Sequence, residues 1–176
     1  MPFLIAAAGP KGVAVAEQVG DGVFGGLAPV PGFEWSAALT FGTVLRDGED
    51  AGDERVVNTA GHAAAVYLHW AVEHDQLDLV PDGKRWASAY DDVPPELRHL
   101  ALHEGHLVTL TERDRPFVTG EFLAGAGLAL SPAGWHDKLA ELEKAGATEV
   151  AYQPAGPDIP GELDAFAAVM ERAWSS

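Results

Sequence analysis

A short loop near the start of the chain combines residue types that bind a phosphate group. Residues 3–8 form an apolar run, Gly9-Pro10 closes it, and Lys11 opens a segment with helical spacing. A strand that ends in glycine and leads into a helix leaves unpaired N–H groups at the helix start, where they favour an anion. The first candidate site is therefore the loop of Ala8, Gly9, Pro10 and Lys11. An ordinary strand-to-helix turn with a surface lysine is the alternative.

Two further positions end predicted strands and could face the same ligand. Gly25 and Gly26 follow the short apolar strand Val23-Phe24, and glycine permits close approach of the backbone to a ligand. Gln153 ends a later predicted strand and could reach the same edge of a sheet. A flexible turn at the two glycines and a loop-capping role for Gln153 stay open as alternatives.

The seven histidines raise the question of a metal site or an acid–base site. His103 and His106 have i, i+3 spacing, whereas the helical zinc motif His-Glu-x-x-His needs i, i+4. His62 and His69 are two turns apart on a predicted helix, but no carboxylate completes a ligand set. The sequence therefore predicts no metal site. Because the chain contains no cysteine, thiolate ligands and a cysteine nucleophile are excluded.

Composition and charge narrow the classes of partner. The 176 residues are 47% hydrophobic, which indicates a folded domain with a real core. The formal net charge of -16 disfavours nucleic acid and anionic membrane surfaces, although local N–H groups can still hold one anionic ligand. The first apolar run is too short to span a membrane and lacks a basic flank, so we expect a cytoplasmic protein.

The hydrophobic pattern predicts the elements that position these residues. Strand and helix patterns alternate, which favours βα units, a parallel sheet and right-handed crossovers. Residues 75–130 are irregular and rich in proline and glycine, which is typical of a functional insertion or a lid. Short helices are predicted to open there at Pro94 and Thr119. The predicted strands cover 3–8, 23–24, 37–45 and 149–152, and the main predicted helices cover 11–19, 53–73, 132–145 and 161–174.

Several segments match, in order, the motifs of one enzyme family. Residues 2–24 are similar to an apolar strand, Ala-Ala-x-Gly-Pro-Lys, a helix and Ala-Asp-Gly-Val. Residues 128–150 are similar to a Gly-Thr-Pro helix followed by an Ala-Gly-Val-x-Glu-Val strand, and residues 153–156 look like the end of a last barrel strand. Residues 103–108 resemble a stretch common in one branch. Together these segments resemble the luciferase-like family of flavin- and deazaflavin-dependent oxidoreductases and monooxygenases.

The resemblance implies a fold and a cofactor site. In that family the matching segments are strands five to eight of a (β/α)8 barrel. The expected fold class is therefore α/β, a partial TIM barrel of about four parallel βα units, forming a single C-terminal half-barrel domain over residues 1–176. The segment 75–130 would be an irregular helical insertion before the last unit. By resemblance, Ala8, Gly9 and Lys11 hold the cofactor phosphate, Pro10 shapes their loop, and Gly25 and Gly26 face the cofactor.

The resemblance implies hydride transfer between a flavin-type cofactor and a small organic substrate. The coenzyme F420, a deazaflavin, is the expected cofactor, because the Gly-Pro-Lys loop resembles that of the F420 branch more than the Gly-Gly-Ser loop of FMN users. The alternatives are an FMN-dependent monooxygenase of the same fold and a non-catalytic half-barrel that binds a cofactor phosphate without turnover. The cofactor ring performs the transfer, so no catalytic side chain is assigned. We expect a truncated chain, or one that completes its barrel as a homodimer or with a separate N-terminal half.

Overall fold

The computed structural model of the chain describes residues 1–7, 9–26 and 28–173. The candidate phosphate-loop residue Ala8 lies outside the described residues, and so does Trp174, the predicted end of the last helix. The chain divides into two compact units. Unit 1 comprises residues 1–41, 132–153 and 169 onward, and unit 2 comprises residues 42–131 and 154–168.

The described residues form six strands, seven α-helices and two short 3-10 helices. The strands are β1 (Leu4–Ala6), β2 (Gly22–Gly25), β3 (Ser36–Thr40), β4 (Thr43–Val44), β5 (Ala129–Leu130) and β6 (Glu149–Tyr152). The α-helices are α1 (Pro10–Val19), α2 (Glu54–Glu73), α3 (Gly83–Ser88), α4 (Arg98–Leu102), α5 (Gly120–Gly125), α6 (Pro132–Lys144) and α7 (Ile159–Ala173), and the 3-10 helices are Leu77–Leu79 and Arg115–Phe117. None of the described helices combines the length and the apolar character that crossing a membrane requires.

Unit 1 contains a four-stranded sheet in the order β1-β2-β3-β6, and all three pairings are parallel. This confirms the prediction of an α/β fold with parallel strands. The central strands β2 and β3 are largely buried, whereas the two outer strands β1 and β6 are partly exposed. Part of the core forms where Ala16 of α1 packs near Val23 of β2, with Ile5, Val13 and Phe33 around them.

The predicted third strand, residues 37–45, was wrong as a single element. It breaks at Gly42, which has φ +126°, a left-handed conformation that favours glycine. A side chain at Gly42 would also place its Cβ 2.5 Å from the carbonyl oxygen of Leu128. β3 pairs with β6 in the sheet of unit 1, whereas β4 pairs with β5 in a separate two-stranded sheet of unit 2.

Unit 2 is largely helical and is built on α2. The predicted helix over residues 53–73 is confirmed, because α2 begins directly after Asp53 and buries the apolar stripe that includes Val56, Ala60 and Leu68. The segment 75–130 contains α3, α4, α5 and both 3-10 helices. Thr119 caps α5 by accepting a hydrogen bond from the backbone N–H of Phe122 at 3.1 Å.

Candidate functional site

The predicted phosphate loop lies at the carboxyl edge of the unit 1 sheet. β1 ends at Ala6, and α1 begins at Pro10 directly after Gly9, which is extended at φ -127° and ψ 168°. The backbone N–H of Val13 donates to the Gly9 carbonyl at 3.0 Å, which closes the first turn of the helix. No described side chain caps this helix start. The structure therefore has the strand, glycine and helix in the order that the sequence predicts.

The second pair of candidate glycines lies beside this loop. Ala6 pairs with Phe24 in the parallel register, so Gly25, the last residue of β2, and Gly26, the residue after it, lie at the same edge of the sheet. A Cβ built at Gly9 or Gly26 would meet no atom within 4 Å, which leaves open space at both positions. A Cβ at Gly25 would lie 2.1 Å from the carbonyl oxygen of Ala28. Gly25 is thus required by the local fold, whereas Gly9 and Gly26 leave room for a ligand.

A lysine that the sequence analysis did not single out reaches the same edge. Nζ of Lys138 on α6 donates to the carbonyl of Phe41, the residue that follows β3, at 3.4 Å. The ammonium group also lies 4.6 Å from the centre of the Trp135 ring. Burial lowers the pKa of Lys138 to about 8. Gln153 directly follows β6 at this edge as well, and its backbone N–H donates to the Thr40 carbonyl at 3.0 Å.

Unit 2 contains a second cluster, which we call the histidine cluster: His69 of α2 with His103 and His106 of the segment after α4. One ring nitrogen of each histidine lies within 4.8 Å of the other two. His69 is buried, His103 is half-buried and His106 is exposed.

His62, which the sequence pairs with His69 on one helix face, is also buried, and burial lowers its pKa. Nε2 of His62 has no hydrogen-bond partner among the described residues, which is typical of a neutral core histidine.

A buried carboxylate lies beside the histidine cluster. Oδ1 of Asp114 accepts hydrogen bonds from Trp86 Nε1 at 2.6 Å and from the Tyr90 hydroxyl at 2.8 Å, and Oδ2 accepts one from the Thr111 hydroxyl at 2.8 Å. Burial opposes ionisation, but His69 and these donors together lower the pKa of Asp114. The hydrogen bonds to Asp114 thus favour its ionised form, and its Oδ2 lies 3.7 Å from Nε2 of His69.

Comparisons of the chain with protein-family models, with curated proteins and with solved structures find no match.

Proposed function

We propose that unit 1 binds the phosphate-bearing part of a flavin-type cofactor, with the deazaflavin F420 preferred. The chain would act in an oxidoreductase that transfers hydride between this cofactor and a small organic substrate. The observation that carries the proposal is that β1 and β2 are parallel neighbours that end at one sheet edge, where Gly9 directly precedes α1 and Gly26 directly follows β2, both with open space around them. The resemblance of residues 2–24 and 128–156 to luciferase-like enzymes supplies the cofactor class.

The residues at this edge fit an anionic group. The N–H groups in the first turn of α1 point toward the strand end, and the helix dipole adds positive potential there. Lys11 is exposed at the same helix start and would add a positive charge. When bound, the cofactor ring supplies the hydride chemistry. In this proposal α1 and Lys11 hold the phosphate, and Gly9 and Gly26 allow the backbone to approach it.

The first test is a negative charge at the helix start. Gly9→Asp should weaken cofactor binding at least about tenfold, because a carboxylate next to the phosphate repels it. The same change should not destabilise α1, because Asp is favoured at the residue before a helix and the φ of Gly9 suits it. Binding is measured by titrating the full chain with F420 and, separately, with FMN, following the fluorescence of each cofactor.

Gln18→Glu is the matched control. It makes the same charge change on the exposed surface of α1, but near the opposite end of the helix. Equal affinity in the Gly9→Asp variant and the unmodified chain would refute the phosphate site. Tight binding of FMN alone would favour the monooxygenase alternative. Binding of F420 without turnover of any offered substrate would favour the non-catalytic alternative.

We also propose that the unit 1 sheet is half of a (β/α)8 barrel. Its four parallel strands lie in chain order, as consecutive barrel strands do, and its outer strands β1 and β6 each have an unpaired edge within the described residues. Unpaired edges of a parallel sheet favour pairing with further strands. Four more strands, from a second copy or from a separate N-terminal half, would close the barrel.

The measured molar mass tests this completion. If two copies close one barrel, sedimentation of the purified chain should give about twice its 18.5 kDa mass. If a separate half is needed, the chain alone should self-associate without a fixed stoichiometry. A stable, well-folded monomer without cofactor would contradict the half-barrel.

A further inference from the structure

The geometry of the histidine cluster points to a site that the hydride-transfer proposal does not use. We propose that His69, His103 and His106 bind a divalent transition-metal ion, best matched by zinc, through their Nδ1 atoms, with at least one coordination position left open. This proposal concerns unit 2 alone and does not depend on the cofactor site of unit 1.

The spacing of the ring nitrogens matches a metal site. Nδ1 of His106 lies 3.4 Å from Nδ1 of His69 and 3.2 Å from Nδ1 of His103. Zinc binds histidine nitrogen at about 2.0–2.1 Å in a tetrahedral arrangement, which places two ligand nitrogens roughly 3.3–3.4 Å apart. Both contacts are therefore close to the separation that zinc imposes.

Hydrogen bonding alone does not explain this arrangement. Each ring nitrogen carries either one proton or one lone pair, so Nδ1 of His106 cannot form two good hydrogen bonds with two other Nδ1 atoms. Glu73 Oε1 lies 2.8 Å from Nε2 of His103, and a carboxylate can only accept, so this Nε2 carries the proton. In its neutral form, His103 then directs the lone pair of Nδ1 at His106. A cation can accept lone pairs from all three rings at once.

Carboxylates lie behind two of the three rings, as they do behind metal-binding histidines. Glu73 contacts His103, and Asp114 lies 3.7 Å from Nε2 of His69, which makes no hydrogen bond within the described residues. Both carboxylates favour the tautomer with the proton on Nε2, which leaves Nδ1 free to bind a metal. Their two negative charges also offset the charge of a divalent cation.

The site is accessible from one side. His69 forms a buried wall at 3% exposure, whereas His106 is exposed, so an ion can enter without unfolding the unit. Three histidines with an open position are the ligand set of catalytic zinc sites, in which water or a substrate oxygen completes the coordination.

Metal titration of the full chain tests the site. A preparation without a polyhistidine tag is stripped with a chelator and titrated with Zn²⁺ in competition with a chromogenic chelator, and then with Co²⁺. We expect one ion per chain, a visible Co²⁺ absorption typical of four-coordinate nitrogen ligation, and a higher Tm with metal. His106→Gln should lower the Zn²⁺ affinity by at least about 100-fold, and Glu73→Gln should lower it about 10-fold to 100-fold.

His99→Gln is the matched control, because His99 is an exposed histidine of α4 and the substitution is the same. It should leave the affinity for Zn²⁺ unchanged. His106 is chosen because it is exposed and its substitution should not disturb the core, which far-ultraviolet circular dichroism without metal would check. No saturable binding to the unmodified chain, or equal losses in the His106→Gln and His99→Gln variants, would overturn the proposal. The variants that test F420 binding lie in unit 1, whereas those that test Zn²⁺ binding lie in unit 2. The cofactor proposal and the metal proposal can therefore fail independently.

Discussion

Replacing Arg55 with methionine should lower the free energy of unfolding of unit 2 by about 3–5 kcal/mol. The guanidinium of Arg55 forms a two-point ion pair with Glu49, in which Nε donates to Oε1 at 2.6 Å and Nη2 donates to Oε2. Its Nη1 donates to Glu162 at 2.7 Å and to Thr43 at 3.0 Å. Because Glu162 is only 3% exposed, methionine would leave a buried carboxylate without its cation.

Urea unfolding followed by circular dichroism, with amide hydrogen exchange in α2, measures this loss. Arg115→Met is the control, because Arg115 is an exposed arginine of the same unit and its loss should change stability by less than about 1 kcal/mol. Adding Glu162→Gln to the Arg55→Met variant should recover part of the stability, because it removes the uncompensated charge. An Arg55→Met loss no larger than that of Arg115→Met would contradict the assigned role.

The same network has a pH signature. The hydrogen bond from Arg55 lowers the pKa of Glu49 to about 2, against the opposing effect of burial. A carboxyl whose pKa falls on folding stabilises the fold above its unfolded pKa, and this stability is lost as the pH falls through the folded value. The stability difference between the unmodified chain and the Arg55→Met variant should therefore shrink between about pH 4.5 and pH 2.

Replacing Asp114 with alanine should destabilise unit 2 by about 3–5 kcal/mol. Asp114 is 1% exposed and is the shared acceptor for Trp86, Tyr90 and Thr111. Alanine would leave the indole N–H of Trp86 and the hydroxyl of Tyr90 buried without an acceptor, and each loss costs about 1–3 kcal/mol. Chemical denaturation with Trp fluorescence measures the change.

The Asp114→Asn variant separates the effect of the side-chain shape from that of its negative charge, because asparagine has nearly the same shape and is neutral. Its amide oxygen can still accept from Trp86 and Tyr90, and its NH₂ group can donate to the Thr111 hydroxyl. We therefore expect a smaller loss of about 1–2 kcal/mol, from the weaker neutral hydrogen bonds. If alanine and asparagine cost the same, hydrogen bonding at Asp114 is not what stabilises this part of unit 2.

The sequence predicted the regular elements well, for physical reasons. α2 has a long apolar stripe with helical period, and Ser131-Pro132 marks the start of α6 unambiguously. The break at Gly42 was not predictable from the apolar pattern, because β3 and β4 are both buried and the pattern continues across it. What ends the strand is the close approach of Leu128, a contact between residues far apart in the chain.

The two candidate sites also differ in how far they could be predicted from the sequence. The phosphate loop is contiguous in sequence, so its strand, glycine and helix could be predicted from neighbouring residues alone. The histidine cluster joins His69 to a segment 37 residues later, and no spacing rule covers that separation. Near His106 the chain also adopts positive φ at Gly105 and at Leu107, and a leucine gives no signal for such a conformation. Lys138 lay on a predicted helix, but its reach to the end of β3 depends on the packing of that helix.

The pairing of β3 with β6 has a consequence for how the chain folds during synthesis. Ser36 and Thr148 meet across this pair although 112 residues separate them. Closing a loop of that length costs about 4 kcal/mol of chain entropy, whereas β1 and β2 are joined by one short helix and can pair early. On the ribosome, which adds roughly 5–20 residues per second, about 6–22 seconds pass between the synthesis of β3 and that of β6, and one edge of β3 stays unpaired during this time. Residues 42–131 are synthesised during that interval, so the sheet of unit 1 can be completed only after this whole stretch of unit 2 has been made.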